Sequence, residues 1–274
     1  MKLHRNTNGV YVEEHGRFFS VEADGWDDLL CDDGLIDRLR SSISGDGSPS
    51  LDNPTILAPI GSQDVWAAGV TYFRSRNARM DESKGAGGAD FYDRIYEAPR
   101  PELFFKSAGH RTVGYGAAVR IRDDARWSVP EPELTLVINP KGRIIGYSIG
   151  NDMSSRDIEG ENPLYLPQAK VYDGSCAIGP CILLSPDPLP LSTEIKLEIT
   201  RGGELVFADS TTLAALKRDP QELVEYLYRE ITFPHGAFLM TGTGIVPADD
   251  FSLDHEDVIR ISIDGIGTLE NWVA

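Results

Sequence analysis

The fold of this chain is decided by the stretch Pro130-Glu131-Pro132-Glu133-Leu134-Thr135-Leu136-Val137-Ile138. Its residues 134–138 are typical of a buried β-strand, and two carboxylates stand just before them. Because residues two apart on a strand point to the same face of a sheet, Glu131 and Glu133 are expected to converge. Neighbouring carboxylates repel each other unless one is protonated or a cation lies between them. Taken alone, the pair is equally consistent with two exposed charges at a strand end.

A third carboxylate follows on the next predicted strand. The turn 139–142 leads into a second apolar stretch, 143–149, which ends in Gly150-Asn151-Asp152. A hairpin of these two strands places Asp152 beside the start of the first strand. Three carboxylates without His or Cys suit Mg²⁺ or Mn²⁺, whereas zinc prefers nitrogen or sulfur ligands. We therefore predict that Glu131, Glu133 and Asp152 bind a divalent metal.

Outward from this hairpin, the chain reads mostly as short strands with turn residues between them. Alternating polar and apolar residues predict strands at 118–122, 194–200 and 258–263, and the second forms a hairpin with 205–207 across Arg201-Gly202-Gly203. One helix is well marked by Asp219 as N-cap, Pro220 at the first position, and Leu223, Leu227 and Ile231 at helical spacing. These patterns predict a mostly β (α+β) protein.

The first part of the chain is predicted to form a small unit of its own. Short strands are predicted at 10–12 and 18–21, and a helical stretch at 26–39. The following segment, 41–54, is rich in Ser, Gly, Asp and Pro, which is typical of a linker. We expect a small N-terminal domain with its linker at 1–55 and a catalytic domain at 56–274.

The composition excludes several classes of protein. The chain has 274 residues, 41% of them hydrophobic, with 43 Asp and Glu against 26 Lys and Arg, a net charge of −17. This charge argues against nucleic-acid partners and anionic membranes, which need a basic surface. There is no apolar run of the roughly 18 residues that span a bilayer, and no apolar segment of a signal peptide at the N-terminus. We therefore expect a cytoplasmic protein.

The cysteine, histidine and glycine patterns do not favour a zinc site, a catalytic triad or a nucleotide-binding site. The three cysteines, Cys31, Cys176 and Cys181, contain no CxxC pair and are expected to be buried free thiols. The five histidines show no metal-binding spacing, and a Ser-His-Asp triad is poorly supported. Glycine-rich nucleotide-binding motifs are also missing from the sequence. The carboxylate cluster remains the best candidate for chemistry.

From about Ile60 to the C-terminus, four blocks of sequence resemble the fumarylacetoacetate hydrolase superfamily in order and spacing. The first is the pair Glu131 and Glu133, and the second is Asp152, about twenty residues later. The third is 170–180, KVYDGSCAIGP, in which a Lys precedes a loop with Cys and Pro. The fourth is the Thr-Gly-Thr motif at 241–243. The resemblance implies a mixed β-roll/β-sandwich catalytic domain, usually a homodimer, in which Mg²⁺ or Mn²⁺ is chelated by a small-molecule 2-keto acid.

Two features indicate which branch of the family this chain is similar to. Carbon–carbon hydrolases of the family have His and Glu three and six residues after a lid Tyr, but Tyr72 is followed at those positions by Ser75 and Ala78. The segments 100–106, RPELFFK, and 161–170, ENPLYLPQAK, look like the branch that dehydrates 2-keto-3-deoxy sugar acids. The resemblance thus implies a hydro-lyase that converts a 2-keto-3-deoxypentonate to 2-oxoglutarate semialdehyde through a metal-stabilised enolate. A hydrolase of a 2,4-diketo acid or 2,4-diketo-3-deoxy sugar acid is the alternative.

Dehydration needs a base for the C3 proton and an acid for the leaving C4 hydroxyl. Lys170 is the predicted base, because a partly buried lysine near a cation has a lowered pKa and provides a neutral amine. Glu102 is the predicted partner, since it precedes an apolar Leu-Phe-Phe run expected to be buried. Lys106 and Thr243 are predicted to contact the substrate's charged groups, Thr243 from a glycine-flanked turn. Arg74 and Arg76 are predicted to contact the polar tail of the substrate.

Several alternatives stay open at the level of sequence. Lys170 could be a structural ion-pair partner of Asp173, or could form a Schiff base with the substrate. Arg156 and Asp157 could support the metal site or lie in a subunit interface. The Gly-rich segment 82–90 is either a surface loop or a lid over an anionic ligand. A non-catalytic sugar-acid binder is the remaining alternative, which the intact carboxylates and Lys170 argue against.

Overall fold

The computed structural model describes residues 1–43, 45–50, 55–72 and 98–274. Strands in these ranges are β1 (Lys2–Asn6), β2 (Gly9–Glu14), β3 (Arg17–Val21), β4 (Asp64–Gly69), β5 (Glu102–Ala108), β6 (Ala118–Val119), β7 (Ser128–Val129), β8 (Pro132–Ile138), β9 (Ile144–Asp152), β10 (Ser154–Ser155), β11 (Cys176–Leu184), β12 (Glu194–Arg201), β13 (Glu204–Thr212), β14 (Ala237–Met240), β15 (Val258–Ile263) and β16 (Gly267–Val273). The α-helices are α1 (Trp26–Cys31), α2 (Leu35–Ser42), α3 (Arg156–Glu161), α4 (Leu166–Lys170) and α5 (Pro220–Tyr228). Strands thus dominate, as the sequence predicts.

The strands form one large sheet, one smaller sheet and a short pair. The large sheet has nine strands in the order β3-β2-β1-β11-β9-β8-β14-β4-β5, and the smaller has five in the order β13-β12-β15-β16-β6. Strands β7 and β10 pair with each other. Neighbours are antiparallel except for β14 with β4 and β16 with β6. The fold is a mostly β architecture with a mixed large sheet.

Two hydrophobic clusters cover the two faces of the large sheet. One cluster joins residues of β8 and β9, such as Leu134 and Ile149, to residues of the smaller sheet, such as Leu197. The other joins residues of β4, β8 and β11 to the buried faces of α1 and α2. The central strands β8 and β9 are therefore buried on both faces, which explains their almost continuous apolar sequence.

Most of the predicted elements are confirmed, with differences in length. The hairpin of β12 and β13 and the helix α5 form, and Asp219 accepts hydrogen bonds from the amides of Gln221 and Glu222. Helix α5 ends at Tyr228, so Ile231 lies beyond it and is exposed. The predicted strand 118–122 is reduced to β6, because the amide of Arg120 donates to the carbonyl of Gly174 instead of continuing the ladder.

The N-terminal segment differs from the expected single helical stretch. Helix α1 ends before Asp32, whose side chain accepts a hydrogen bond from the amide of Gly34, and α2 begins after this turn. Strand β1 pairs with β11, so β1, β2 and β3 extend the large sheet rather than forming a separate one. The division into an N-terminal domain, 1–55, and a catalytic domain, 56–274, stays a prediction. No helix in the described ranges is both long and apolar enough to cross a membrane.

The three cysteines are free thiols, as expected. Cys176 and Cys181 are buried, and burial raises the pKa of each of these thiols to about 12. Cys31 is only partly buried, which differs from the expectation for that residue. The two buried thiols are neutral near pH 7 and act as packing residues of β11.

Candidate active site

Strands β8 and β9 bring the three predicted carboxylates to one face of the large sheet. The amide of Asp152 donates to the carbonyl of Glu131 at 3.0 Å, and Glu133 pairs with Gly150 in the ladder. This register points all three acidic side chains the same way. One oxygen from each of Glu131, Glu133 and Asp152 lies within 4.8 Å of the others, and all three side chains are buried. The predicted convergence is confirmed.

Electrostatic repulsion is strong within this cluster. Burial, followed by repulsion from Asp152 and Glu131, raises the pKa of Glu133 well above its usual 4.5. Two groups oppose this shift in the pKa of Glu133 and favour its charged form: the positive charge of Lys170, and the amide of Gly242, which donates to Glu133 Oε2 at 2.5 Å. A buried, all-oxygen cluster of carboxylates that oppose one another's ionisation fits a hard divalent cation, which would offset the repulsion.

Gly242 can reach Glu133 because of its backbone conformation. Its φ of +95° lies in a region that other residues rarely adopt, and a Cβ atom there would collide with Thr71 Oγ1. The hydroxyl of Thr71 in turn donates to the carbonyl of Thr241 at 2.6 Å. The Thr-Gly-Thr motif is therefore held against the carboxylate cluster by packing that only glycine permits.

We expect Gly242→Ala to destabilise the protein by about 1–3 kcal/mol from backbone strain alone, with a further loss from the collision with Thr71. Urea unfolding of the metal-free protein measures the change. Gly202→Ala is the matched control, because Gly202 also has positive φ, +59°, but has open space around its Cβ position. Equal losses in the two variants would show that close packing at Gly242 is unimportant.

Lys170 stands at the end of α4 and is fully buried among the acidic side chains. Its Nζ lies 2.7 Å from Glu131 Oε2 and 2.9 Å from Asp152 Oδ2, and it also donates to Ser154 Oγ. Glu159 Oε1 lies 3.5 Å away. These partners replace the ion pair with Asp173 that the sequence left open. The amine of Lys170 is thus fixed directly against the carboxylate cluster.

Two further charged residues belong to the cluster: Arg156, whose role the sequence left open, and Glu159, for which the sequence predicted no role. Arg156, at the start of α3, is 2% exposed and places Nη2 at 2.8 Å from Glu131 Oε1. Its Nη1 lies 3.9 Å from Glu159 Oε2 on the same helix. Asp157 points elsewhere and accepts a hydrogen bond from the amide of Arg126. Of the alternatives left open for Arg156, the structure favours support of the metal site.

The net charge of the cluster is compatible with the binding of both a divalent cation and an anionic substrate. The cluster contains four carboxylates, those of Glu131, Glu133, Asp152 and Glu159, and three cationic side chains, those of Lys106, Lys170 and Arg156. When all seven groups are ionised, the net charge of the cluster is −1. A divalent cation would make this sum positive by one charge, and a monocarboxylate substrate would neutralise it. Local charge of this kind is what an acidic protein needs to bind an anion.

A narrow cavity of about 10 Å³ opens onto the cluster. Besides the three carboxylates and Lys170, it is lined by Ala68, Gly69, Val70, Phe104, Gly242 and Thr243. The ring of Phe104 lies 5.7 Å from Lys170 Nζ, which is close enough for a cation–π contact. Acidic, cationic and apolar groups therefore meet in one confined space beside the end of β4.

The other predicted site residues differ in their relation to this cavity. Glu102 is partly buried, pairs with Gly69, and its carboxylate lies over that glycine, where a Cβ atom would collide with Oε2. Thr243 lines the cavity, but its hydroxyl bonds to the backbone of Ile245. Lys106 is fully buried and is not among the residues that line the cavity, so its contacts do not favour the predicted contact with substrate.

The predicted lid lies outside the described residues. This holds for Arg74 and Arg76, for Ser75 and Ala78 at the positions of the hydrolase motif, and for the segment 82–90. Their expected roles stay predictions from the sequence.

Comparison with known proteins gives consistent matches over most of the chain. Residues 79–274 match the family described as fumarylacetoacetate (FAA) hydrolase C-terminal. A probable 2-keto-3-deoxyxylonate dehydratase of Haloferax volcanii is 45% identical over 242 residues, which cover 87% of this chain and 82% of the relative. The 2-dehydro-3-deoxy-D-arabinonate dehydratase of Saccharolobus solfataricus is 43% identical over 216 residues, 78% of this chain and 72% of the relative.

A solved structure resembles the whole chain. It is that of a 2-keto-3-deoxy-D-arabinonate dehydratase complexed with magnesium and 2,5-dioxopentanoate, with a TM-score of 0.85 and 34% sequence identity. The match covers 100% of this chain and 98% of the other. The matched region therefore includes the N-terminal strands and the strands β8 and β9 beside which the carboxylate cluster lies.

Proposed function

The chain belongs to the fumarylacetoacetate hydrolase family, and from this premise we propose that it is a magnesium-dependent hydro-lyase. Its substrate is a 2-keto-3-deoxypentonate, and its product is 2-oxoglutarate semialdehyde, which is the same compound as 2,5-dioxopentanoate. The observation that carries the proposal is the full-length likeness to a dehydratase solved with magnesium and this compound. The buried, all-oxygen carboxylate cluster supports the metal requirement independently.

We propose Glu131, Glu133 and Asp152 as the ligands of Mg²⁺, with Mn²⁺ as an alternative ion. A magnesium ion bound there would accept the carboxylate and keto oxygens of the substrate and, as a Lewis acid, would make the C3 proton more acidic. Arg156 orients the carboxylate of Glu131 by pairing with its Oε1, whereas Lys170 pairs with its Oε2.

The proposed base is Lys170 and the proposed acid is Glu102. Lys170 Nζ is held beside the cavity by Glu131, Asp152 and Ser154, and takes the C3 proton of the substrate. Glu102 and Phe104 are two residues apart on β5 and so share a face of the sheet. The ring of Phe104 lies 5.7 Å from Lys170 Nζ, which supports the proposal that Glu102 is on the same side as the amine and protonates the leaving C4 hydroxyl.

The atoms of the reaction balance with the loss of one water. Removal of the C3 proton and departure of the C4 hydroxyl leave a double bond between C3 and C4. Loss of a proton from C5 and gain of one at C3 then give an enol with its double bond between C4 and C5. Loss of the proton from the C5 hydroxyl and gain of one at C4 convert this enol to the C5 aldehyde. Each of these transfers needs only a base and an acid that alternate in role, which a lysine and a carboxyl on one wall of the cavity can supply.

Substrate contacts, assembly and location complete the proposal. Thr243 lines the cavity and is proposed to contact the substrate's carboxylate, and Arg74 and Arg76 to contact its polar tail. We further propose a homodimer in the cytoplasm, which rests on family resemblance and on the sequence.

Mass spectrometry of the reaction products tests the proposed function. With Mg²⁺ and a 2-keto-3-deoxypentonate, the protein is expected to form a product lighter by one water, identified as 2-oxoglutarate semialdehyde. The same mixture with a chelator is the control and is expected to give no product, because the carboxylates hold the metal that the substrate needs. Cleavage of a 2,4-diketo acid, without dehydration of the pentonate, would overturn the proposal in favour of the hydrolase.

A further inference from the structure

Lys106 is a fully buried lysine placed by an irregularity in the large sheet. Strands β4 and β5 pair in regular order up to this point, but Val65 pairs with Ser107 and Trp66 with Phe105, so that Lys106 is skipped. An extra residue of this kind bends a strand and redirects a side chain, and such bulges are common beside active sites. Here the redirected side chain is 0% exposed and is directed at the end of β9.

Three oxygen acceptors surround the ammonium group of Lys106. Its Nζ donates to the carbonyl of Met153 at 3.0 Å and to the carbonyl of Lys170 at 2.6 Å. The third oxygen belongs to the carboxylate of Asp152, whose Oδ1 lies 2.5 Å away in an ion pair. An ammonium group has three N–H donors and no acceptor; two of them go to the backbone carbonyls, and the charge is paired with the carboxylate of Asp152. Because Lys106 is fully buried and does not line the cavity, its ammonium group is not available to a substrate there.

These contacts connect the metal site to the proposed base. Asp152 is the last residue of β9, and Lys170 is the last residue of α4. Lys106 holds Asp152 from the Oδ1 side, whereas Lys170 Nζ holds it from the Oδ2 side at 2.9 Å. Through the carbonyl of Lys170, the same ammonium also fixes the backbone from which that second lysine extends.

We propose that Lys106 is a positioning residue that fixes the orientation of Asp152 and its distance from Lys170, and does not contact the substrate. The part that concerns Lys170 rests on the proposed function, whereas the part that concerns Asp152 does not. A rigid Asp152 favours Mg²⁺, which demands near-octahedral geometry at short distances, over Ca²⁺, which accepts longer and less regular coordination.

Metal selectivity of Lys106→Met tests this proposal without any substrate. Calorimetric titration of the metal-free protein with Mg²⁺ and, separately, with Ca²⁺ gives the ratio of the two dissociation constants. Removing a positive charge changes the attraction for both ions alike, so the ratio isolates geometry from charge. We expect the preference for Mg²⁺ to fall about tenfold, which is the lower end of the loss in metal affinity when a group that orients a metal ligand is removed.

Two further variants control for charge and for folding. Lys141→Met removes a lysine that is 66% exposed, and its metal ratio is expected to stay unchanged. Lys106→Gln keeps an N–H donor for the backbone carbonyls but loses the charge, so a smaller change in the ratio is expected. If Lys106→Met fails to fold, the metal ratio of Lys106→Gln tests the proposal in its place.

Kinetics separate positioning from substrate contact. With saturating Mg²⁺, a positioning role predicts that kcat of Lys106→Gln falls about tenfold, while KM for the pentonate changes less than twofold. A raised KM with an unchanged metal ratio would overturn the proposal and restore the predicted substrate contact. If wild-type protein does not dehydrate the pentonate, the proposed function fails, but the metal ratio still tests Lys106.

Discussion

Glu133→Gln is expected to lower metal-dependent turnover by about a thousandfold, because a neutral amide replaces one of three carboxylate ligands and several kcal/mol of stabilisation by the metal are lost. The affinity for Mg²⁺ is expected to fall at least about tenfold, by the same argument. The fold is expected to survive, because the Gln carbonyl can still accept the hydrogen bond from Gly242 that Glu133 accepts. Steady-state kinetics and calorimetric Mg²⁺ titration measure the two effects.

The pH dependence of stability checks the electrostatic reason for this prediction. Burial and repulsion raise the pKa of Glu133 well above 4.5 in the folded, metal-free protein. The folded state therefore binds a proton that the unfolded chain has lost, and the free energy of unfolding decreases as pH rises from about 4.5 through the raised pKa. The Glu133→Gln side chain does not titrate. Above this range the metal-free variant is expected to be at least as stable as the wild type.

Glu161→Gln is the matched control for Glu133→Gln. Glu161 is an exposed carboxylate at the end of α3, and its substitution makes the same chemical change without touching the cluster. Turnover and Mg²⁺ affinity are expected to stay at wild-type values. Full metal-dependent activity in Glu133→Gln, or equal losses in the two variants, would contradict the assignment of Glu133 as a metal ligand.

The carboxylate cluster could be predicted from the sequence because it depends on local rules. Glu131 directly precedes β8 and Glu133 lies two residues later within it, and Asp152 follows on the next strand of the same hairpin. Alternation along a strand and the return of a hairpin are both set by short-range geometry, so the side chains could be placed without knowing the rest of the fold.

The cationic part of the site could not be placed in the same way. Lys106 meets the backbone of Met153 and Lys170, 47 and 64 residues away, and its direction depends on a skipped position in the β4–β5 pairing. Nothing in the local pattern around Lys106 indicates that bulge. The contact of Arg156 with Glu131 likewise depends on how α3 packs beside β7 and α4. A Lys inside an otherwise apolar strand was the available signal, but it did not identify the partner.

Lys170→Ala is expected to lower turnover about 10²- to 10⁴-fold, the usual contribution of a general base, without loss of metal binding. Lys170 Nζ contacts both Glu131 and Asp152, so its removal takes away a positive charge that opposes a divalent cation at the same carboxylates. We therefore expect Mg²⁺ to bind Lys170→Ala at least as tightly as it binds the wild type. For Glu133→Gln we expect weaker Mg²⁺ binding. Mg²⁺ affinity of the two variants therefore distinguishes a metal ligand, Glu133, from a general base, Lys170.

Stability of Lys170→Ala should depend on magnesium more strongly than that of the wild type. Glu131, Asp152 and Glu159 all lie within 3.5 Å of the Lys170 ammonium, and its loss leaves buried carboxylates without that partner. A bound cation offsets this repulsion, so the melting temperature is expected to rise more on addition of Mg²⁺ than in the wild type. Lys141→Ala, at an exposed lysine, is expected to show the wild-type rise.

Rescue by a small amine decides how Lys170 acts. If the lysine removes a proton, an added primary amine that enters the space left in Lys170→Ala is expected to restore part of the turnover, with a rate that increases with the concentration of neutral amine. Treatment of the wild type with borohydride and substrate is then expected to leave the protein mass unchanged. A stable adduct on Lys170 would instead establish a Schiff base, and the metal would no longer be needed to explain how the C3 proton becomes acidic.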